Sequence, residues 1–337
     1  MIAFGILMRS LIVISVAFGI TMVALPPLIR RLEKSGTVTV DRYKSDNRLV
    51  ATRGGLAILA VTFLLAGIAI LCEHFGIPIH VTGTDWAIII VAGLFGAFGL
   101  VDDFVDVGRP LKVFMLFFFS YRLIFEINTT MVTFPLIGVK DLGPVYLFLI
   151  VPIYVLVTAN LVNMHSGFNG LASGLSAIIM AFLLLKFIIE GYNSAIFTLS
   201  CLCGATLGFL WYNRYPARIF LGNTGSLAIG AAIGAAIVVS GFVISGFVML
   251  IPHTVNFLLY VYWRVMHRLH PGDWRWRLEK FGKVRADGTL EVPNPLTLKW
   301  VLPYYLPMRE KQAVLAMYAL TIPFCIAALF ISFMDKG

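Results

Sequence analysis

Apolar runs close to twenty residues long recur along this chain, separated by short stretches that hold nearly all of its charge. About 20 apolar residues in a helix cross a bilayer, and lipid requires every backbone polar group to be satisfied within the segment. The pattern therefore predicts about ten transmembrane helices, near 11–29, 55–72, 86–101, 113–127, 145–162, 171–189, 195–212, 224–240, 242–262 and 312–333. The fold class is all-α and integral to the membrane, and residues 1–337 form one polytopic unit without a separate soluble domain. Connections are short except for 263–311. Within that loop, Lys283–Val292 alternates like a half-exposed ribbon around Asp287-Gly288, which predicts a small β-hairpin with a two-residue turn.

Charge supplies the topology. Arg30, Arg31, Lys34, Arg42, Lys44, Arg48 and Arg53 crowd the first loop, and Arg264, Arg268, Arg275, Arg277, Lys280, Lys283, Arg285, Lys299 and Arg309 the last long one. Residues 73–85 contain no Lys or Arg, and 128–144 only Lys140. By the positive-inside rule both basic loops are cytoplasmic, both termini lie outside, and the protein is a multi-pass protein of the cell membrane. Arg9 is followed by a run long enough to span, without a small-residue cleavage site, so an uncleaved first helix is expected. The net charge of +9 is shared among loops and forms no stripe, which argues against a nucleic-acid partner. Cys72, Cys201, Cys203 and Cys325 sit in or beside apolar runs and read as small core residues.

Against this background a few polar stretches stand out. Asp102, Asp103 and Asp106 close the third apolar run, and neighbouring carboxylates at a membrane edge repel one another unless a cation or basic ligand neutralises them. Asn160-Leu-Val-Asn-Met-His-Ser-Gly-Phe-Asn-Gly170 interrupts another run with amides and glycines, suited to hard cations, nucleotides and close phosphate approach. Asn213-Arg-Tyr-Pro-Ala-Arg-Ile-Phe-Leu-Gly-Asn-Thr-Gly-Ser226 brings two arginines and a polar turn that opens a helix, a phosphate-binding arrangement. Lys44 and Arg53 add cations on the same side. Trp263, Trp274 and Trp276 among arginines suit both a membrane interface and a basic loop over an anionic substrate. His267 and His270 lack a third ligand nearby. Together these stretches meet the needs of phosphoryl transfer at a membrane surface.

The order and spacing of Asp102-Asp103-x-x-Asp106, Asn160-x-x-Asn163-x-x-x-Gly167-x-Asn169-Gly170 and Phe220-Leu-Gly-Asn-Thr-Gly225 resemble the polyprenyl-phosphate N-acetylhexosamine-1-phosphate transferases. The likeness is greatest to the archaeal and eukaryotic UDP-GlcNAc:dolichyl-phosphate branch. Bacterial cell-wall enzymes usually have Asp-Gly-x-Asp-Gly where this chain has Ser166-Gly-Phe-Asn-Gly170. The resemblance implies transfer of GlcNAc 1-phosphate from UDP-GlcNAc to polyprenyl (dolichyl) phosphate within the membrane lipid, with release of UMP, magnesium as cofactor and manganese as a substitute. It implies Asp102 and Asp103 as the catalytic pair, with Asp103, Asn163 and Asn223 at the metal. Lys44, Asp106, Asn160, Asn169, Gly170, Arg214, Arg218, Arg264, Arg268 and Arg285 are implied for substrate, the last three within a recognition loop over 263–311. A homodimer is a further expectation.

At Asn223 related enzymes commonly carry aspartate. An amide keeps a coordinating oxygen but cannot form an acyl phosphate. A branch-specific substitution, a weak metal site and a chain altered to reduce activity all stand as explanations, and direct attack by the lipid phosphate is the favoured mechanism. The alternatives are the same transfer with another UDP-N-acetylhexosamine, and a secondary transporter with an acidic ion site.

Overall fold

A computed structural model describes residues 2–331 except Pro78, His80, Asp106, Pro135 and Leu136. The apolar runs become helices: α1 (Ile2–Lys34), α2 (Gly55–His74), α3 (Gly83–Phe104) and α4 (Arg109–Phe119), then α5 (Gly143–Val145), which continues through Tyr146–Ile150 into α6 (Val151–Met164). After these come α7 (Leu171–Glu190), α8 (Ile196–Asn213), α9 (Gly222–Ser240), α10 (Val243–Met249), α11 (Ile251–Leu269), α12 (Leu298–Tyr305) and α13 (Glu310–Leu329). Among the described residues, 8 helices are long and apolar enough to cross a membrane, or 9 when α10 and α11, bent by 65°, count as one. The protein is thus a multi-pass, all-α membrane protein.

The fourth predicted run, 113–127, departs from a regular span. The 11 residues of α4 pass into a 3₁₀ segment of 7 residues, Ser120–Glu126. At about 1.5 and 2.0 Å per residue, the two pieces still reach about 30 Å, the thickness of the hydrocarbon core. The bend between α10 and α11 coincides with Pro252 in the first turn of α11, which cannot donate to the preceding turn.

Helix α9 lies at the centre, almost wholly buried, and packs most extensively against α3 and α6. Its Gly-Ala-Ala-Ile-Gly-Ala-Ala sequence over 230–236 allows backbones to approach closely, which in lipid replaces the hydrophobic drive available in water. At the other end of α3, Asp85 is buried, with no cation within 4.0 Å among the described residues. It is a capping group: its Oδ2 accepts from Thr82 N at 3.0 Å and its Oδ1 from Thr198 N at 2.9 Å, tying the start of α3 to α8.

Three two-stranded hairpins occupy the loops. The one anticipated, β5 (Lys283–Val284) with β6 (Leu290–Glu291), pairs Lys283 with Glu291 and Val284 with Leu290. Its turn has three residues, not two: Arg285 N bonds Thr289 O at 2.8 Å and Gly288 takes a φ of +81°. The other hairpins, β1 (Val38–Val40) with β2 (Leu49–Ala51) and β3 (Met131–Phe134) with β4 (Gly138–Asp141), have no alternating run long enough to announce them.

A second, smaller core joins the loops at one end of the bundle. Tyr43, Phe168, Leu171, Trp263, Leu290, Trp300 and Val314 are buried together. Tyr43 OH accepts from Trp300 Nε1 at 3.2 Å and from Gly282 N at 3.4 Å, and burial raises its pKa. Trp263 therefore belongs to this core, stacked edge-on against Trp300, and not to a membrane interface, whereas Trp274 is exposed.

Candidate active site

The last turn of α3 meets the first turn of α9. The approach depends on Gly99, where a Cβ would lie 2.6 Å from Asn223 O and 2.8 Å from Thr224 N. Asp103 is thereby set at the start of α9: its Oδ1 accepts from Asn223 N at 3.4 Å and its Oδ2 from Thr224 Oγ1 at 3.5 Å. Unpaired amides and the dipole at a helix start favour negative charge there. Asp102 has a different role. Its Oδ2 receives Lys112 Nζ at 2.8 Å and Asn223 Nδ2 at 3.2 Å.

The first loop reaches the same place through backbone pairing that no sequence pattern signalled. Phe220 N donates to Ala51 O at 2.7 Å, and Gly54 N and Gly55 N donate to Phe220 O and Leu221 O, each at 2.9 Å. Between these bonds Arg53 adopts a left-handed φ of 65°, its guanidinium 3.8 Å from the Phe104 ring and donating to Asp103 O at 3.0 Å. Gly222 faces it with φ +72°. A Cβ there would come within 3.0 Å of Arg53 Cα and 3.1 Å of Asp103 Oδ2, so both backbone conformation and space require glycine.

The end of α6 completes the group. Asn163 Oδ1 accepts from Ser226 Oγ at 2.8 Å, linking α6 to α9. The turn beyond it is held from below by Lys299, whose Nζ donates to Ser166 O at 2.5 Å. Burial lowers the Lys299 pKa to about 8, against the attraction of Glu310. Asp103, Asn163 and Asn223 line one cavity of about 390 Å³, together with Ser166–Phe168, Phe220, Arg42, Lys280 and Phe281. A carboxylate and two side-chain amides are hard oxygen donors on three separate helices, a set that fits magnesium. Asn223 donates its Nδ2 to Asp102, which leaves its Oδ1 as the amide's remaining acceptor.

The other sequence candidates disperse. Asn160 turns back on its own helix, Nδ2 to Leu156 O at 2.8 Å. Asn169 is buried as a tie: its N donates to Glu310 Oε1 at 2.6 Å and its Oδ1 accepts from Ala217 N at 2.9 Å. Gly170 has φ +80° and accepts from Tyr318 OH at 2.6 Å. Lys44 is bound in an ion pair to Glu310 at 2.5 Å and Asp41 at 3.2 Å. Arg214 and Arg218 line a separate cavity. Arg264 and Arg268 ride on α11, and Arg285 stands on the exposed hairpin, 3.9 Å from Glu291. Asp106 lies outside the described residues. His267 and His270 both pack on Trp276, the first with Nδ1 3.1 Å from its carbonyl. Lys112, Arg42, Lys280 and Glu310 escaped sequence reasoning, for each is one basic or acidic loop residue among many, without a motif around it.

The glycosyl transferase family 4 model matches residues 85–241, the stretch carrying all three motifs. A phospho-N-acetylmuramoyl-pentapeptide-transferase of Listeria monocytogenes is 32% identical over 240 residues, covering 66% of this chain and 72% of that protein. The chain belongs to glycosyl transferase family 4. Two archaeal members match over nearly their whole length. A protein of Saccharolobus solfataricus, named as a UDP-N-acetylglucosamine–dolichyl-phosphate N-acetylglucosaminephosphotransferase, is 28% identical over 96% of this chain and 97% of its own. One of Sulfolobus acidocaldarius with the same name is 26% identical over 96% of each. Within family 4 the archaeal likeness thus extends through the loops after residue 241, where the small core forms.

Proposed function

We propose that this family 4 protein transfers GlcNAc 1-phosphate from UDP-GlcNAc to a polyprenyl phosphate of the dolichyl type at the cytoplasmic face of the cell membrane. The observation that carries this reading is the convergence of Asp103, Asn163 and Asn223 from α3, α6 and α9 on one cavity that also has Arg42 and Lys280 in its lining. The names of the full-length archaeal relatives supply the substrates. The basic loops supply the cytoplasmic side.

An oxygen of the lipid phosphate attacks the sugar-linked phosphorus of UDP-GlcNAc. The bond from that phosphorus to the bridging oxygen breaks, its electron pair stays with UMP, and the product is a lipid-linked pyrophosphoryl sugar. Position and charge neutralisation carry most of such a displacement. Asp103, Asn163 and Asn223 would hold a magnesium ion, whose charge offsets that of the pyrophosphate. Asp102 fixes Lys112 and the Asn223 amide, and so orients the positive charge that the incoming lipid phosphate meets. Phe220 and Phe168 give the nucleoside an apolar wall. Asn223 has no carboxylate to phosphorylate, which favours direct transfer over a covalent enzyme intermediate at that position.

The test mixes purified protein, dolichyl phosphate, magnesium and sugar-labelled UDP-GlcNAc. Label should enter the organic phase in step with UMP release, and Asp103→Asn should reduce transfer by about a hundredfold or more. Transfer only from a different UDP-N-acetylhexosamine would reassign the donor. No transfer from any would overturn the reading.

A further inference from the structure

Arg214 and Arg218, expected at the substrate phosphates, lie around a second cavity of about 470 Å³ between the end of α8 and the start of α13. Neither Asp103 nor Asn163 nor Asn223 lines it. Buried Asn169 forms part of its wall, with the Asn169–Ala217 hydrogen bond behind it. The two cavities are therefore chemically distinct.

The second cavity has three cations, Arg214, Arg218 and Lys311. Arg214 lies 3.7 Å over the Trp211 ring and Arg218 5.6 Å over Tyr212, which orients the guanidinium groups without neutralising them. Among the described residues none of the three has a carboxylate within 4.0 Å. The acid next to Lys311 in sequence, Glu310, is already held by Lys44 and the Asn169 amide. Asp41 is shared between Lys44 and Arg48. Apolar residues Leu210, Val314 and Leu315, all within membrane-spanning helices, make the rest of the lining, and Trp211 and Tyr215 are half-exposed aromatics of the kind that sit at a headgroup layer. Uncompensated positive charge beside an apolar wall at a helix end matches an anionic headgroup above its own acyl chain.

We propose that this cavity is a binding site for an anionic membrane phospholipid, its phosphodiester at Arg214, Arg218 and Lys311 and a chain against Leu210 and Leu315. The assignment does not depend on the transferase reading. A phosphate could also be offered by the nucleotide sugar or by a polyprenyl phosphate, and the experiment separates these sources.

Full-length protein in detergent is titrated with phosphatidylglycerol or phosphatidylcholine, and retained lipid is counted by native mass spectrometry. Phosphatidylglycerol should be retained in preference to phosphatidylcholine, and affinity should fall about fivefold for each cation removed by Arg214→Gln, Arg218→Gln and Lys311→Gln. Arg218→Lys, which keeps the charge, should retain most of the binding, and this guards against loss through misfolding. Equal retention of the two lipids, or full retention in the triple variant, would overturn the site. Displacement of phosphatidylglycerol by equimolar UDP-GlcNAc or short-chain polyprenyl phosphate would also overturn it, since the cations would then serve a substrate.

Discussion

Asn223 stands where the family resemblance leads one to expect aspartate, and its surroundings explain how an amide is accommodated. Its Nδ2 bridges to Asp102 and its backbone N to Asp103, so two adjacent carboxylates are partly satisfied without a metal. Asn223→Asp would replace that donor with a third negative charge. Its thermal midpoint should fall by several degrees in chelator and rise above the parent's in millimolar magnesium, measured by differential scanning fluorimetry. A midpoint shift independent of magnesium would remove Asn223 from the metal set. Gly99 offers a second test at this scale. Gly99→Ala drives a methyl into the Asn223–Thr224 backbone, and a displacement approaching an ångström at the site should lower kcat/KM about a hundredfold. Gly67→Ala, where the methyl meets nothing within 4 Å, should leave it unchanged. The sequence marked Asn223 through its motif, whereas Gly99 looked like one small residue among many in an apolar run.

At the level of elements, the site is an assembly of ends: the last turns of α3 and α6, the first turn of α9, and the strand-like approach of Thr52–Gly55. Helix α12 supports it from below. Lys299 loses its proton near pH 8 in the folded protein but near 10.5 once unfolded. Between those values the unfolded state binds more protons, so stability should increase with pH from about 8 to about 10.5 and level off beyond. Thermal midpoints across that range should show the rise in the parent and lose it in Lys299→Met. The turn after α6 to which Lys299 donates begins with His165, whose pKa burial and the nearby His253 and Lys299 push well below the ordinary imidazole value, so it stays neutral throughout this window. The spans around these ends were legible because hydrophobic length survives any packing. The 3₁₀ segment after α4 was not, since it arises from local hydrogen bonding inside a run of uniform hydropathy, and the bend before α11 has only Pro252 to mark it within an apolar run.

Over the whole molecule, polar chemistry gathers at one end of an apolar bundle, and the small core around Tyr43, Trp263 and Trp300 closes that end. In a Cys72→Ala background, whose remaining cysteines are buried, a cysteine introduced by Arg285→Cys on the exposed hairpin should react with a membrane-impermeant maleimide in inverted vesicles and not in intact cells. Labelling in intact cells would reverse the proposed orientation. The sequence by itself determined that the chain crosses the membrane repeatedly, which loops share a side, and which three motifs meet, because span length and charge asymmetry act on each segment independently of its neighbours. Only the tertiary structure decided that Asp102 and Asp103 have different partners, that Lys44 and Asn169 are bound up in a buried network with Glu310, and that Arg214 and Arg218 face a cavity of their own. Those distinctions depend on contacts between residues as far apart as Lys44 and Glu310. No pattern local to either residue encodes them, because the partner is supplied only when the helices pack.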